Sequence, residues 1–383
     1  MEDVPQPFTT HPGAYLEDHD LDRFGCTVCH LGQGQATTRL EAHALSEEVY
    51  WDWPVLTGPW AQATCGTCHD PTYLTDRGAP LLGLGLTAFQ ANGCLGCHKL
   101  GGRGGTLGPA LDQVGDKTSH SLPFDHVEGD HQVWTWHQQH LLSPRTVVPD
   151  STMPAVEGEP NTLDALTIYL LSLRTTNLTE SLTPFDRYQR RYRIWHTEPL
   201  SGAELYEQFC QACHEDGTET VFHDSLDVTI PGIMHPDFLA TATVEFLVEN
   251  LRLGRAGTPM TAWAEDSGGL TDDELERIAA YLLESRTEVR EVTFEPEADP
   301  DVENGRLLFE SECTDCHVLS AAGGEAPWLG SPGFQATYSD SLMGHTIKFG
   351  RRDSLMIGYG EEADGDFTDR QVSDLVAYIR TLR

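Results

Sequence analysis

All ten cysteines of this chain fall into five copies of one pattern, and none is left over. The copies are Cys26-Thr27-Val28-Cys29-His30, Cys65-Gly66-Thr67-Cys68-His69, Cys94-Leu95-Gly96-Cys97-His98, Cys210-Gln211-Ala212-Cys213-His214 and Cys313-Thr314-Asp315-Cys316-His317. Two thiols three positions apart reach the two vinyl groups on one edge of a porphyrin and form thioethers, and the adjacent His then lies under the iron. Two other uses of such pairs compete. Zinc sites would pair the motifs and leave one of the five unpaired. Five disulfides would leave unexplained why a His stands at the same offset each time. The expectation is therefore five covalently bound haem c groups, held by Cys26, Cys29, Cys65, Cys68, Cys94, Cys97, Cys210, Cys213, Cys313 and Cys316. His30, His69, His98, His214 and His317 are the expected proximal ligands.

The last two motifs head an internal repeat. Gly202 precedes Cys210, and Gly305 precedes Cys313, by the same eight positions. The runs Ala203 to Phe209 and Arg306 to Glu312 read as helices entering the motif. Downstream, Leu251-Arg252-Leu253-Gly254-Arg255 matches Ile347-Lys348-Phe349-Gly350-Arg351, and a methionine stands five residues beyond each Arg, at Met260 and Met356. Both units close with a capped amphipathic helix. One starts at Thr271 with Glu274, the other at Thr368 with Gln371. The third motif heads a related unit: a helix around Leu86 to Ala91, a Gly-rich loop ending Gly108-Pro109-Ala110-Leu111, then Met153-Pro154 and a helix with Leu163, Leu166, Leu170 and Leu173 on one face. The stretch from Lys117 to Pro149 is longer than its counterparts and holds His120, His126, His131, His137 and His140, which are expected to be solvated.

Helix, Cys-x-x-Cys-His, loop, Met and amphipathic helix, in that order, resemble the class I cytochrome c domain, and the resemblance covers residues 81 to 383. It implies a small all-helical fold around each haem, with first and last helices crossing beside it. Met356 departs from the pattern in lacking the neighbouring Pro of Met153 and Met260. The first eighty residues are different: two motifs lie too close for two such domains, helical periodicity is weak, and Gly, Pro and Trp are plentiful. Phe24-Gly25-Cys26-Thr27-Val28-Cys29-His30-Leu31-Gly32-Gln33-Gly34 resembles the opening of a dihaem module that precedes cytochrome c domains in some bacterial multihaem cytochromes, with Leu31 where that family usually has Gly. The expected class is all-α: a loop-rich dihaem module over 1–80, cytochrome c domains over 81–178, 201–287 and 301–383, a linker over 179–200 and an acidic linker over 288–300.

Sixth ligands decide what each haem can do. Iron that only carries electrons stays six-coordinate; Met raises the potential and a second His gives a lower one. Met153, Met260 and Met356 are the candidates for the third, fourth and fifth haems. Met343, inside an expected helix from Leu342 to Phe349, reads as core, and Met234 is a rival for the fourth haem. The first eighty residues hold no methionine besides Met1, so their haems need His or another donor, or stay open. The dihaem resemblance implies His19 and His43, without deciding which serves which haem, and His11 stands in reserve. Three Met and two His serve five haems with no vacancy for catalysis.

Composition narrows the partners. With 60 acidic residues against 24 basic ones the formal charge is −36, which excludes electrostatic binding to nucleic acid or an anionic membrane and favours redox partners with a basic docking surface; solubility or a salty habitat explains the same charge. No segment has the apolar run of a direct membrane span. The N-terminus shows neither basic nor apolar export regions, although haem is attached to cytochromes c outside the cytoplasm, so a periplasmic or other extracytoplasmic protein is expected with its signal removed or not included. The expected function is electron relay, not enzymatic catalysis, between a quinol-oxidising or dehydrogenase donor and a cytochrome or terminal reductase, alone or in a membrane respiratory complex. A haem peroxidase or small-molecule reductase, and a subunit of an extracellular filament, are the alternatives. The pentahaem nitrite reductases typically carry a motif ending in Lys, and none occurs here.

Overall fold

The computed structural model describes residues 11, 14–32, 38, 55–175, 182, 199–255, 258–317, 326, 328–351 and 355–382. The chain divides into two units, Met1–Ala91 with Ala110–Thr197, and Asn92–Pro109 with Glu198–Arg383. Both are helical, as expected, and among the described residues the strands are two short hairpins.

Unit one begins with single turns: α1 (Tyr15–Asp18), α2 (Leu21–Phe24) and α3 (Thr27–His30), none of which contains a buried residue. Two further turns follow, α4 (Gln62–Cys65) and α5 (Pro71–Leu74), the second capped by Asp70, whose carboxylate accepts from Thr72 N–H at 2.9 Å. The longer elements are α6 (Pro80–Ala91), α7 (Val133–Leu142) and α9 (Pro160–Ser172), with one more single turn, α8 (Pro144–Val147), after α7. The sequence pattern presented one apolar face on α9, but the helix is buried nearly all round, Thr167 and Ser172 included. The physical reason is its position: α4, α6 and α7 all pack on it, and a helix surrounded on all sides needs apolar or small residues on all faces.

Unit two carries β1 (Lys99–Leu100) paired with β2 (Arg103–Gly104), then α10 (Gly202–Phe209), α11 (Gln211–His214), β3 (Val221–His223) paired with β4 (Val228–Ile230), α12 (Pro236–Thr241), α13 (Val244–Leu253) and α14 (Asp272–Glu284). The last part holds α15 (Val302–Glu312), α16 (Pro332–Thr337), α17 (Asp340–Phe349) and α18 (Asp369–Ile379). Capping boxes form at Ser201/Glu204, Thr271/Glu274 and Thr368/Gln371, satisfying first-turn N–H groups that have no partner inside the helix. The helix expected over Arg306 to Glu312 starts a turn earlier, because Asp301 accepts from the N–H groups of Glu303 and Asn304.

One packing device occurs three times. α6 crosses α9, α10 crosses α14 and α15 crosses α18. At each crossing a glycine of the first helix meets a backbone carbonyl of the last: Gly85 against Ala165, Gly202 against Arg277, Gly305 against Asp374, so closely that a Cβ would overlap the oxygen. Four residues on, an aromatic ring meets a tyrosine of the last helix at matching separation and tilt: Phe89–Tyr169 at 5.1 Å and 54°, Tyr206–Tyr281 at 5.7 Å and 55°, Phe309–Tyr378 at 5.4 Å and 57°. Three independent stretches of sequence thus reach one helix–helix geometry, the crossing that the cytochrome c pattern implied.

The acidic segment after α14 is a docked strap. Arg290 pairs with buried Asp237 at 2.8 Å, Phe294 joins the core of Phe309, Met343, Leu375 and Val376, and Glu297 N–H donates to Ser373. The segment before Pro199 lies mostly outside the described residues.

Candidate haem sites

All five motifs fold into the same turn. The His N–H donates to the carbonyl of the first Cys at 3.0, 2.9, 3.0, 3.0 and 2.8 Å from first motif to fifth, and the N–H of the second Cys donates to that same carbonyl at 3.1 to 3.3 Å. One helical turn therefore holds both sulfurs and the imidazole on a common side, as attachment of a single porphyrin edge requires. None of the ten cysteines is in a disulfide.

The proximal rings are oriented from behind. Nδ1 of His30 donates to the Leu56 carbonyl at 2.7 Å, that of His98 to Pro109 at 2.7 Å and that of His214 to Pro231 at 3.2 Å. Such a bond selects the Nδ1–H tautomer and leaves the Nε2 lone pair for a metal. Burial pushes His98 and His214 below the usual imidazole range, His214 to about 4, against the opposing pull of the bonded carbonyls. A neutral ring is the form that ligates iron. Gly108 matters here: a Cβ at that position would collide with the His98 ring.

The expected sixth ligands fall in comparable loops. α13 and α17 end at Gly254 and Gly350, with φ of +62° and +67°, where a side chain would be strained and would also strike the returning chain. The next residue in each then receives the methionine: Arg255 N–H donates to the Met260 carbonyl at 2.8 Å and Arg351 N–H to that of Met356 at 2.7 Å. Both methionines are half-buried, and Met356 packs on the core of its own repeat. Met153, also half-buried, donates its N–H to Ser151; it lies in unit one, whereas His98 lies in unit two. Met234 and Met343 are buried, Met343 in the core around Phe309 and Met234 with its sulfur 3.8 Å from the Ser285 hydroxyl.

In the N-terminal part, the His19 ring stands 6.0 Å from the His69 ring and the His11 ring 6.1 Å from the His30 ring. His43, with Trp51 and Trp53, lies outside the described residues. Of the histidines between 120 and 140, His120, His126 and His131 are exposed and His140 half-buried, but His137 is buried on α7, and burial together with neighbouring His140 pushes it down to about 3. Its place on the helix face packed against α9 was not visible as a pattern, because the surrounding sequence is rich in Trp, His and Gln without a clean apolar stripe.

Two pairs of motifs adjoin. The buried Thr64 hydroxyl donates to the Cys29 carbonyl at 2.7 Å, and Cys65 is pushed up to about 11, chiefly by burial and then by the charge of Cys29. In unit two the sulfurs of Cys97 and Cys213 adjoin, and that neighbour together with burial pushes Cys213 up. The approach depends on small residues: a Cβ at Gly96 would sit 3.2 Å from that of Ala212. The hairpin β1–β2 holds the third motif in place through Lys99 Nζ to the Ser267 carbonyl at 2.6 Å and a 2.7 Å Arg103–Glu274 ion pair.

The residues fit covalent haem. Besides the five turns and the tautomer-selecting carbonyls, Trp263, three residues after Met260, buries an indole N–H with no acceptor, a defect that a haem carboxylate is of the right kind to relieve.

The family model described as Cytochrome c matches residues 82–174 and 302–383, and that described as Cytochrome C oxidase, cbb3-type, subunit III matches residues 197–282. These stretches contain the third, fifth and fourth motifs respectively. The chain is also similar to cytochrome c oxidase subunit 2 of Alkalihalophilus pseudofirmus, at 25% identity over 116 residues; the match covers 30% of this chain and spans only 30% of that relative's length. No solved structure matches. Helix crossings, motif turns and family matches agree: the chain carries cytochrome c domains, is a multihaem c-type cytochrome, and transfers electrons through haem. Among the described residues, no helix is long and apolar enough to cross a membrane.

Proposed function

We propose that the chain binds five covalent haem c groups and relays electrons along them, from a quinol-oxidising complex or dehydrogenase to a cytochrome or terminal reductase. The observation that carries this reading is the pairing of the attachment motifs, Cys29 beside Cys65 and Cys97 beside Cys213. Haems fixed to neighbouring sulfurs exchange electrons within the chain, without a diffusing carrier. Such abutment is what a relay needs.

Axial ligands give the relay a direction. Met153, Met260 and Met356 serve the third, fourth and fifth haems at higher potential, and histidines serve the first two at lower potential, so electrons run from the N-terminal pair toward the cytochrome c domains. The residual charge of −36 favours docking on a basic partner. Two of the matched proteins are named as oxidase subunits, which supports a periplasmic or other extracytoplasmic place beside or within a membrane respiratory complex.

The test is to load the protein with a single electron by photoreduction and follow the haem bands. Redistribution from histidine-ligated to methionine-ligated haem should be first order and independent of protein concentration. A rate proportional to concentration would sink the relay, and turnover of peroxide or nitrite would replace it with an enzyme. An intact mass five haems above the polypeptide checks the count.

A further inference from the structure

We infer that the two N-terminal haems are bis-histidine centres with crossed ligation: His11 is the sixth ligand of the first haem, opposite His30, and His19 that of the second, opposite His69. This rests on the five-haem reading above and deepens it.

The ring geometry is what one iron between two imidazoles requires. A metal–nitrogen bond of about 2 Å, plus roughly 1.1 Å from nitrogen to ring centre, counted on both sides, gives about 6 Å between centroids. The observed values are 6.1 Å for His11 and His30 and 6.0 Å for His19 and His69. Edge-to-face ring packing also reaches this spacing, as Tyr15 and His11 do at 6.1 Å; what singles out these two pairs is that each sets a histidine from the first turns against one of the two proximal ligands.

The supporting contacts match those of the proximal rings. Nδ1 of His19 donates to the Tyr15 carbonyl at 2.9 Å, so its Nε2 is left for the metal, as in His30, His98 and His214. The Tyr15 hydroxyl donates to the Gly78 carbonyl at 2.6 Å, tying α1 to the chain beyond the second motif. Gly78, at φ +105°, leaves room for that phenol: a Cβ would lie 2.7 Å from the ring. This tie explains why His19, nearer in sequence to the first motif, serves the second. Residue His11, one turn before α1, is then placed over the first. The Tyr15 ring lies 6.1 Å from that of His11, so one residue braces both ligands, His19 through its carbonyl and His11 through its ring.

The interplanar angles, 80° and 84°, add a spectroscopic signature. Perpendicular imidazole planes leave the two iron dπ orbitals nearly degenerate, so both ferric centres should show the strongly anisotropic low-spin signal with one large g value.

The test uses the full five-haem protein, with EPR and near-infrared magnetic circular dichroism of His11→Gly, His19→Gly and His43→Gly. Each of the first two should convert one of two bis-histidine haems to high spin, and added imidazole should restore it. His43→Gly should leave both unchanged. In a Cys26→Ala, Cys29→Ala background, which lacks the first haem, His11→Gly should add nothing while His19→Gly still removes the remaining bis-histidine signal. Loss of a bis-histidine signal in His43→Gly, with His11→Gly silent, overturns the inference. Should the glycine variants fail to mature, His11→Met must move one centre to a His/Met spectrum with its sulfur-to-iron band; an unchanged spectrum is equally fatal. Fewer than five haems in the wild-type mass would instead defeat the underlying count.

Discussion

Residues 14–32 and residues 199–382 both surround Cys-x-x-Cys-His turns, but they are stabilised differently. Between Ala14 and Gly32 no residue is buried, and the helices are single turns. The later region has helix crossings whose cores, such as Phe309 with Leu375 and Val376, are formed by protein alone. A four-residue helix cannot bury enough apolar surface to offset the entropy of ordering it. On the proposed five-haem reading, the porphyrin supplies the core of the first region. In the second it completes a core that already exists.

The largest effect that could break this contrast is loss of the N-terminal haems. Replacing Cys26, Cys29, Cys65 and Cys68 by Ala should leave residues 14–32 without amide-exchange protection, while the His/Met spectra of the later domains persist. Full protection of the first region would refute the contrast.

Acid should expose a weakness in the helix-crossing part instead. His137 is held neutral, with its folded value near 3 against an ordinary value near 6.5. The unfolded chain therefore binds a proton that the folded one refuses, so this contribution is complete above about pH 6.5 and is lost as pH falls toward 3, on the order of 4 kcal/mol in all. Denaturant titrations at both ends of that window, on wild type and His137→Gln, should show the loss shrinking in the variant.

Glycines sharpen the comparison further. Gly305→Val drives a side chain into the Asp374 carbonyl and should destabilise α15 against α18 by about 3 kcal/mol or more. Gly25 has nothing near its missing Cβ and only its backbone, φ +64° with ψ −172°, to satisfy, so Gly25→Ala should cost about 2 kcal/mol. Thermal unfolding followed at the haem bands measures both, and equal losses would erase the distinction. Smallest is the capping box: Thr271→Ala should cost about 1 kcal/mol without moving any haem potential, which equilibrium denaturation and a redox titration together would check.

Much of this was legible beforehand because it is local. A motif turn, a capping box or the glycine that ends α13 spans a few residues, and the chemistry lies in those residues. The Gly-x-x-x-aromatic signal of the crossings was equally readable, in Gly85/Phe89, Gly202/Tyr206 and Gly305/Phe309, but its tyrosine partners lie some seventy residues on or more, and only packing pairs them. The full burial of α9 was hidden for a related reason: Thr167 and Ser172 look polar until three neighbours surround them.

By itself, the sequence determined the Cys-x-x-Cys-His turns, the haem chemistry of the cytochrome c domains and the helical repeat, since motif turns and helix initiation depend on residues a turn apart. Tertiary structure alone decided which motifs adjoin, that His137 is buried, and that His11 and His19 stand opposite His30 and His69. Those are distances between side chains remote in sequence, set by where Tyr15 meets Gly78 and where Gly96 lets Ala212 approach, and no spacing along the chain encodes them.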